Sequence, residues 1–368
     1  MKSIYSGIVL AFAIIQPAQA QEDANANQLE VVASFDRSQP IGVSVSNQNR
    51  VFVSFPHRDP YLFGMTEIVE GKMKPFPNYK WQLTEGPELE HYVNVQDIYV
   101  DNQDQLWVLD SKPAASGSIF GNAAAGVQTD GQFKLMHFDL KNDSLIRIYT
   151  FDDLNKGRSG LNDVRVDTER QKAYLSDPGQ AGIVVLDLKT GKSRTVLSSS
   201  KYTLSDPQLV LSYEGKEMRN KDGKPFSSNV NGIALTKDNA WFYFKPINGT
   251  HLYRIASSYL ADEKLSDMDL VDKIEDMGAV GVTHGLVADV AGNIYLTNSL
   301  DYSIKRLKPD GSIELVVQDP RLLWPDSLGV GADGYLYFSC AQMQLLPQWN
   351  NGEDKVQYPF QVYRIKVL

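Results

Sequence analysis

One pattern of apolar and polar positions recurs six times along the chain. In each copy a polar start is followed by alternating apolar positions, a short polar turn and a second strand rich in aromatic residues. Alternation with period two, joined by turns rich in Asn, Asp and Gly, indicates antiparallel hairpins. The first residues of the six copies are Ile41, Gln96, Asn162, Asn231, His284 and Asp326. The pattern therefore predicts six consecutive β units.

Further strand-like segments follow most of these hairpins, for example residues 182–186 and 193–197. Four strands per unit and six units are typical of a six-bladed β-propeller, an all-β fold. No linker rich in Pro, Gly or Ser divides the series, which disfavours the rival architecture of two separate sandwich domains. We expect a single propeller domain over residues 29–368.

The two ends of the chain predict how the ring closes. Residues 360–365 take the place of the third strand of the sixth unit, and no further strand follows them. The strand-like segment 29–35 precedes the first unit and is free to fill that place. We therefore expect the N-terminal strand to complete the last blade, which would remove an exposed sheet edge.

Residues 1–20 differ from the rest of the chain. Lys2 precedes an apolar stretch at 8–15, and Ala18-Gln19-Ala20 supplies small residues of the kind found at cleavage sites. This pattern predicts a signal peptide, a short tail over 21–28 and a secreted or periplasmic protein. No later apolar run approaches the roughly 18 residues of a membrane-spanning helix, so no membrane association is expected after cleavage.

The amino-acid composition bears on two questions, whether the protein binds nucleic acid and whether it contains a disulfide. The 368 residues are 42% hydrophobic with a net charge of −9, and no basic stretch is present to neutralise phosphates. A nucleic-acid partner is therefore disfavoured. Cys340 is the only cysteine, so no internal disulfide can form, and its place at the end of an apolar segment favours a buried strand residue over a nucleophile. The oligomeric state is left open.

The first residues of the inner strands are the candidate site. In a propeller these positions gather near one mouth of the central channel, and five of the six are polar here. Convergent polar groups favour a small-molecule site. We expect His284 and Asp326 as acid–base residues, with Gln96, Asn162 and Asn231 binding the ligand. The plainer alternative is that these side chains only hydrogen-bond water in a wet channel.

A calcium site is the second hypothesis for the same residues. Oxygen atoms of Asn162, Asn231 and Asp326 are of the type that Ca²⁺ prefers. The remaining histidines show no metal-binding spacing, and neither a GxSxG elbow nor a phosphate-binding or dinucleotide-binding glycine motif occurs. Two long connections, 111–132 and 198–230, are expected to overhang the same mouth, because both lie on the side where inner strands begin.

Several segments resemble the yellow/major royal jelly protein family. The similarity is carried by 106–111, 159–167, 173–177, 231–235 and by 319–328, which is typical of bacterial members. It covers about 29–368 and implies a secreted six-bladed propeller. Insect members are associated with pigment chemistry that includes dopachrome conversion, with binding of small amines and with nutritive roles. The resemblance thus implies a small-molecule ligand, with a tautomerase or isomerase activity of the dopachrome type as one form.

A more distant resemblance is to the gluconolactonase/SMP-30 group of calcium-dependent lactonases. That group holds its metal with a Glu on the first blade and with Asn, Asn and Asp further on. Asn162, Asn231 and Asp326 stand at comparable positions here, whereas Ile41 replaces the Glu. Loss of a charged ligand lowers cation affinity. A calcium-dependent lactonase or esterase is therefore the alternative, and a non-catalytic ligand-binding propeller is the third hypothesis.

Overall fold

The computed structural model describes residues 29–111 and 133–367. Within these ranges six four-stranded antiparallel sheets follow one another around a ring, which confirms the predicted propeller. Blades one to three contain β2 (Val43–Val45), β3 (Val51–Ser54), β4 (Met65–Val69), β5 (Lys72–Pro75); β6 (Val95–Val100), β7 (Gln105–Asp110), β8 (Lys134–Asp139), β9 (Ser144–Tyr149); β10 (Val164–Asp167), β11 (Lys172–Asp177), β12 (Gly182–Asp187) and β13 (Ser193–Val196).

Blade four follows a two-stranded hairpin and carries the only α-helices among the described residues. The hairpin is β14 (Ser212–Tyr213) and β15 (Lys216–Glu217), and blade four contains β16 (Val230–Leu235), β17 (Trp241–Pro246), β18 (His251–Ala256), α1 (Ser257–Ala261), α2 (Asp267–Val271) and β19 (Glu275–Ala279). Blade five contains β20 (Leu286–Ala288), β21 (Ile294–Asn298), β22 (Ser303–Leu307) and β23 (Ile313–Gln318). Blade six contains β24 (Pro325–Val330), β25 (Tyr335–Cys340) and β26 (Gln361–Lys366). Short 3₁₀ turns occupy Tyr79–Gln82, Glu88–Glu90, Met343–Leu345 and Pro347–Trp349.

The N-terminal strand closes the ring, as predicted. β1 (Glu30–Ser34) pairs antiparallel with β26 and becomes the outer strand of blade six. Glu30 lies opposite Arg364 and accepts an ion-pair contact of 2.6 Å from its guanidinium. Because the last blade contains strands from both ends of the chain, the ring is fastened by backbone pairing and not by a disulfide.

Glycines allow the inner strands of neighbouring blades to approach closely. The inner strands form a closed ring in which each contacts the next and β24 contacts β2. A Cβ atom added at Gly285 would lie 1.7 Å from the carbonyl oxygen of Asp326, and one at Gly232 would lie 2.3 Å from that of His284. These distances are far below any contact that a real Cβ makes, so only glycine fits there.

Gly285→Ala is therefore expected to destabilise the protein by at least the roughly 1–3 kcal/mol typical of overpacking. The atom that the new methyl would meet belongs to the backbone and cannot rotate away. Gly157→Ala is the matched control, because its nearest neighbour is a side-chain oxygen at 3.6 Å and its φ is not positive. Urea unfolding of both variants measures the difference, and equal midpoints would contradict the close approach.

Polar side chains also tie the inner strands together. The Oγ of Ser44 accepts from the backbone N–H of Val100 at 2.9 Å, which joins blades one and two. Asp97 accepts from the N–H of Val164 at 2.9 Å, which joins blades two and three. These bonds are needed because adjacent blades belong to different sheets and share no backbone ladder. They fix the relative positions of the strands that carry the candidate site.

Cys340 ends β25 and is 2% exposed. Burial raises the pKa of its thiol well above the usual range, so the thiolate that a nucleophile requires is disfavoured. Its position agrees with the interpretation as a buried strand residue. No helix in the described part of the chain has both the length and the apolar character needed to cross a bilayer.

Candidate functional site

The structure brings the predicted residues together at one mouth of the channel. Gln96, Asn162, Asn231 and His284 are 7%, 6%, 3% and 1% exposed, and Asp326 is partly buried. Gln96 donates from Nε2 to the Oδ1 of Asn162 at 3.2 Å. These side chains form a buried polar layer on the axis, not a solvated surface.

His284 lies at one end of a short chain of hydrogen-bonded polar groups. Its Nε2 is 2.6 Å from the Oγ of Ser299, which in turn is 2.8 Å from the hydroxyl of Tyr213. The imidazole stacks on the indole of Trp324 at 3.9 Å. Its Nδ1 is buried and has no hydrogen-bond partner among the described residues. One ring nitrogen is thus fixed by the protein, and the other is available.

The surroundings keep His284 uncharged. Burial, helped by the positive charge of Lys245, lowers the pKa of His284 well below its usual range. Lys245 is itself buried, and burial lowers its pKa to about 7. Its amino group donates to the carbonyls of Pro246 and Gly249 at 2.8 and 2.9 Å, and in the described part of the chain no carboxylate forms an ion pair with it. A neutral imidazole can accept a proton at physiological pH.

Three carboxyl groups share the channel and shift one another's pKa. Burial, reinforced by the charge of Asp97 and opposed by Arg58 and the Trp324 indole, raises the pKa of Asp326 to about 7. Burial and then the charge of Asp97 raise the pKa of Asp163 well above its usual range, which favours its protonated form. Burial also raises the pKa of Asp97, although Arg165 opposes this. Burial in the channel therefore favours the uncharged forms of these carboxyl groups and of His284.

Arg165 spans the channel beneath this layer. It is 5% exposed and begins on β10 in blade three. Its Nη1 donates to Asp97 in blade two at 3.0 Å, and its Nη2 donates to the carbonyl of Leu286 in blade five at 3.1 Å. Since blades three and five are not neighbours, the side chain crosses the axis and braces the inner strands.

Replacing Asp326 with Asn is expected to stabilise the protein more at pH 8 than at pH 4. An unfolded Asp has a pKa of about 3.9, whereas that of Asp326 is raised to about 7. Between these values unfolding releases a proton, so this carboxyl lowers stability as the pH rises. The gain should grow from pH 4 to pH 7 and then level off. Urea unfolding of both proteins measures it, and a gain independent of pH would contradict the raised pKa.

Sequence reasoning missed several residues that shape the site. Asp97 and Asp163 occupy the second position of the repeat, where other copies have Gly or Ser, and this departure is the signal that could have found them. Ser299 directly follows β21, on the side where inner strands begin. Trp324 has a φ of 55°, a strained conformation for a bulky residue. Such strain occurs at functional sites, where the surrounding structure maintains it.

An apolar cluster covers the mouth. Leu211, Tyr213 and Phe226 from the connection 198–230 pack with Ile41 and Trp324, and residues of the segment 343–349 join them. This places 198–230 over the mouth, as expected. Of the other connection, 111–132, residues 112–132 lie outside the described residues. A ligand that reaches His284 must therefore displace part of this cover.

The donor set at the mouth fits Ca²⁺ poorly. Asn162 already accepts from Gln96, and Ile41 lies in the apolar cluster and offers no oxygen. The carboxyl of Asp326 faces the positive charge of Arg58, which would repel a second cation. Within the described residues no group of three or more His, Cys, Asp or Glu side chains is placed to hold a metal ion.

Adding about 5 mM Ca²⁺ or excess EDTA is expected to leave the melting temperature unchanged within error, because the mouth lacks a charged ligand set. This concentration is about five times the weak end of the dissociation constants of extracellular calcium sites. Differential scanning fluorimetry of the purified protein measures this. A stabilisation by Ca²⁺ that disappears in Asn162→Ala would instead support the metal-site hypothesis.

Comparisons with known proteins agree with the geometry at the level of fold and family. The family model described as "Major royal jelly protein" matches residues 93–368. No curated protein matches the chain in sequence. Among solved structures, a streptogramin B lyase is 14% identical, with 92% of this chain and 97% of that chain covered and a TM-score of 0.52.

Two further structures show the same fold. A gluconolactonase from Xanthomonas campestris is 11% identical over 92% of this chain and 88% of that chain, with a TM-score of 0.53. A luciferin-regenerating enzyme is 13% identical over 92% and 95%, with a TM-score of 0.54. At these identities the likeness shows the propeller fold alone. The family match extends over most of the chain, and the chain therefore belongs to the major royal jelly protein family.

Proposed function

We propose that the protein binds a small organic molecule at the channel mouth and moves a proton within it, as a tautomerase or isomerase of the dopachrome type. The pattern at residues 1–20 supports action outside the cytoplasm, in a secreted or periplasmic setting. The resemblance of the chain to a family associated with pigment chemistry supplies the substrate class, and the channel residues supply the chemistry.

The observation that carries the proposal is a pair of buried polar atoms without partners. Nδ1 of His284 and Nδ2 of Asn231 make no hydrogen bond among the described residues, although both side chains are almost wholly buried. An unsatisfied buried polar group costs about 1–3 kcal/mol. A bound molecule with a donor and an acceptor would satisfy both atoms, which explains why the fold tolerates them.

His284 and Asp326 can divide the two proton transfers of a tautomerisation. When Nε2–H of His284 donates to Ser299, the Nδ1 lone pair can take a proton from the ligand. Asp326, whose pKa is about 7, can return a proton at another atom of the same molecule. One proton leaves and one arrives, so no co-reactant is consumed. Asn162 and Asn231 orient the polar groups of the ligand.

Trp324 is the positioning residue for both groups. Its ring stacks against His284 and its indole contributes a hydrogen bond to Asp326. It also packs edge-on against Phe226 at 5.3 Å, so the cover and the two proton-transfer groups are mechanically connected. Displacement of the cover by an entering ligand would therefore act directly on the acid–base pair.

The proposal is tested by the decay of dopachrome with purified protein. We expect wild-type protein to accelerate the decay, and Asp326→Ala to reduce that acceleration by about 10²-fold or more, the low end for loss of a general acid. The pH profile of the wild type should show an inflection near 7 that is absent in the variant. If neither Asp326→Ala nor His284→Ala changes a measured rate, the proposed roles are wrong. Saturable binding without turnover would support the non-catalytic alternative.

A further inference from the structure

A cavity lies between blades four and five, at the end of the ring opposite the channel mouth. Its volume is about 300 Å³. Its walls come from the turn 236–241 between β16 and β17, from the turn 289–292 of blade five, and from Tyr243, Arg254 and Pro309. Turns between first and second strands emerge at the end of the ring away from the strand starts. This cavity is therefore separate from the channel mouth described above.

The ammonium group of Lys237 lacks a partner in this cavity. It makes no hydrogen bond or ion pair within the described residues, and it lies 5.9 Å from the ring of Tyr99. Burial and then the positive charge of Arg165 lower its pKa, although the carboxylates of Asp101 and Asp289 oppose this. The net effect still disfavours a positive charge at this place, so an added negative group would be favourable there.

The carboxylates that also line the cavity are directed into their own turns. Oδ1 of Asp289 accepts from the backbone N–H groups of Ala291 and Asn293, each at 2.9 Å. Its Oδ2 accepts from Nδ2 of Asn293 at 2.7 Å. Asp238 accepts from the hydroxyl of Thr236 at 2.6 Å. These bonds hold the turns, and neither carboxylate forms an ion pair with Lys237, although Asp289 is close enough to act on its charge.

The same cavity also has an apolar wall and rim beside Lys237. Trp241 lines the cavity, and the guanidinium of Arg254 lies 4.1 Å from the centre of its ring. Arg254 is already paired with Glu275 at 2.7 Å, so it shapes the wall and adds little free charge. Val290, at the rim, is 82% exposed. An aromatic wall, an exposed aliphatic rim and one unpaired cation are the features of a site for a small amphipathic anion.

We propose that this cavity binds a small organic anion, whose negative group pairs with Lys237 and whose apolar part contacts Trp241 and Val290. The volume lies at the lower end of the range of about 300–1,000 Å³ for ligand pockets, which fits a single-ring carboxylate. The site is independent of proton transfer at the channel mouth, because it shares no residue with it.

Isothermal titration calorimetry with benzoate, and with neutral benzamide as the uncharged match, tests the proposal. Wild-type protein should bind benzoate at least tenfold more tightly than benzamide. Lys237→Met should weaken benzoate binding at least tenfold. Lys201→Met is the control, because Lys201 also lies near a tyrosine ring, at 4.8 Å from Tyr202, but lines neither this cavity nor the channel. It should bind benzoate as the wild type does.

A second variant keeps the test decisive if Lys237→Met folds poorly. Ala291→Trp adds a large side chain at an exposed rim position and leaves the lysine in place. It should also abolish benzoate binding, whereas His284→Ala should leave it unchanged. Equal affinity in wild type, Lys237→Met and Ala291→Trp, or no benzoate binding by folded wild type, would overturn the proposal without affecting the channel-mouth function.

Discussion

Asp97→Ala is expected to lower the free energy of unfolding by about 3–5 kcal/mol, the usual cost of removing one partner of a buried ion pair. Asp97 is 2% exposed and Arg165 is 5% exposed, and the two are 3.0 Å apart. The substitution would leave the guanidinium buried without its carboxylate and would also release the N–H of Val164. Urea unfolding monitored by tryptophan fluorescence measures the loss.

Two controls separate the buried charge from a general effect of truncation. Glu90→Ala breaks an exposed pair with Lys80, whose side chains are 57% and 67% exposed, and it should cost less than about 1 kcal/mol. The double variant Asp97→Ala/Arg165→Met removes both charges and should regain part of the stability. A loss in Asp97→Ala no larger than that in Glu90→Ala would show that Arg165 does not depend on this carboxylate.

Replacing His284 is expected to have the largest effect on activity. His284→Ala removes the proposed proton acceptor and should reduce the rate of dopachrome conversion by about 10²–10⁴-fold. His284→Gln should lose a similar factor, because a side-chain amide can still bond to Ser299 but cannot take up a proton. Steady-state rates at matched concentrations of folded protein measure the effect.

His137 provides a matched control within the same chain. It also stacks on a tryptophan, Trp107, at 3.9 Å, and burial lowers its pKa to about 4. It lies on β8, away from the inner strands. His137→Ala should therefore retain the wild-type rate despite a similar loss of ring packing. Equal losses in the His137 and His284 variants would indicate that both substitutions act through the fold alone.

The architecture was predictable because it depends on local patterns that repeat. Alternation within each hairpin identifies the strands, and the strand-like segment 29–35, which precedes the first hairpin, pairs with β26 and completes the sixth blade. Glycines such as Gly285 mark the positions where inner strands touch. Each of these signals lies within a short segment of the sequence, and the number of blades follows from counting the repeated segments.

The candidate site was predictable only in part, because its remaining members come from distant parts of the chain. The starts of the inner strands identify Asn231 and His284, which the structure places at one mouth. The relay to Tyr213 depends on a hairpin inserted before blade four. Likewise, the charge opposite Asp326 comes from Arg58 in a loop of blade one. No spacing rule connects such residues before the ring is closed.

The pKa shifts of the buried carboxyl groups could not be predicted from the sequence either. Asp97, Asp163 and Asp326 differ because burial and neighbouring charges act on them unequally. Burial alone would favour the protonated form of all three. At Asp97 the ion pair with Arg165 opposes this effect, whereas at Asp163 the charge of Asp97 adds to it. The same residue type thus forms an ion pair in one blade and favours its protonated form in another.

The most direct test of the proposed site is NMR of protein carrying ¹⁵N-labelled histidine, with dopamine as a catechol amine probe. We expect His284 to show no titration near pH 6.5, because burial and the charge of Lys245 hold its pKa well below the usual range. Addition of dopamine should shift the Nδ1 resonance of His284 and leave that of His137 unchanged. Titration of His284 near pH 6.5, or an unchanged His284 resonance at saturating dopamine, would contradict it.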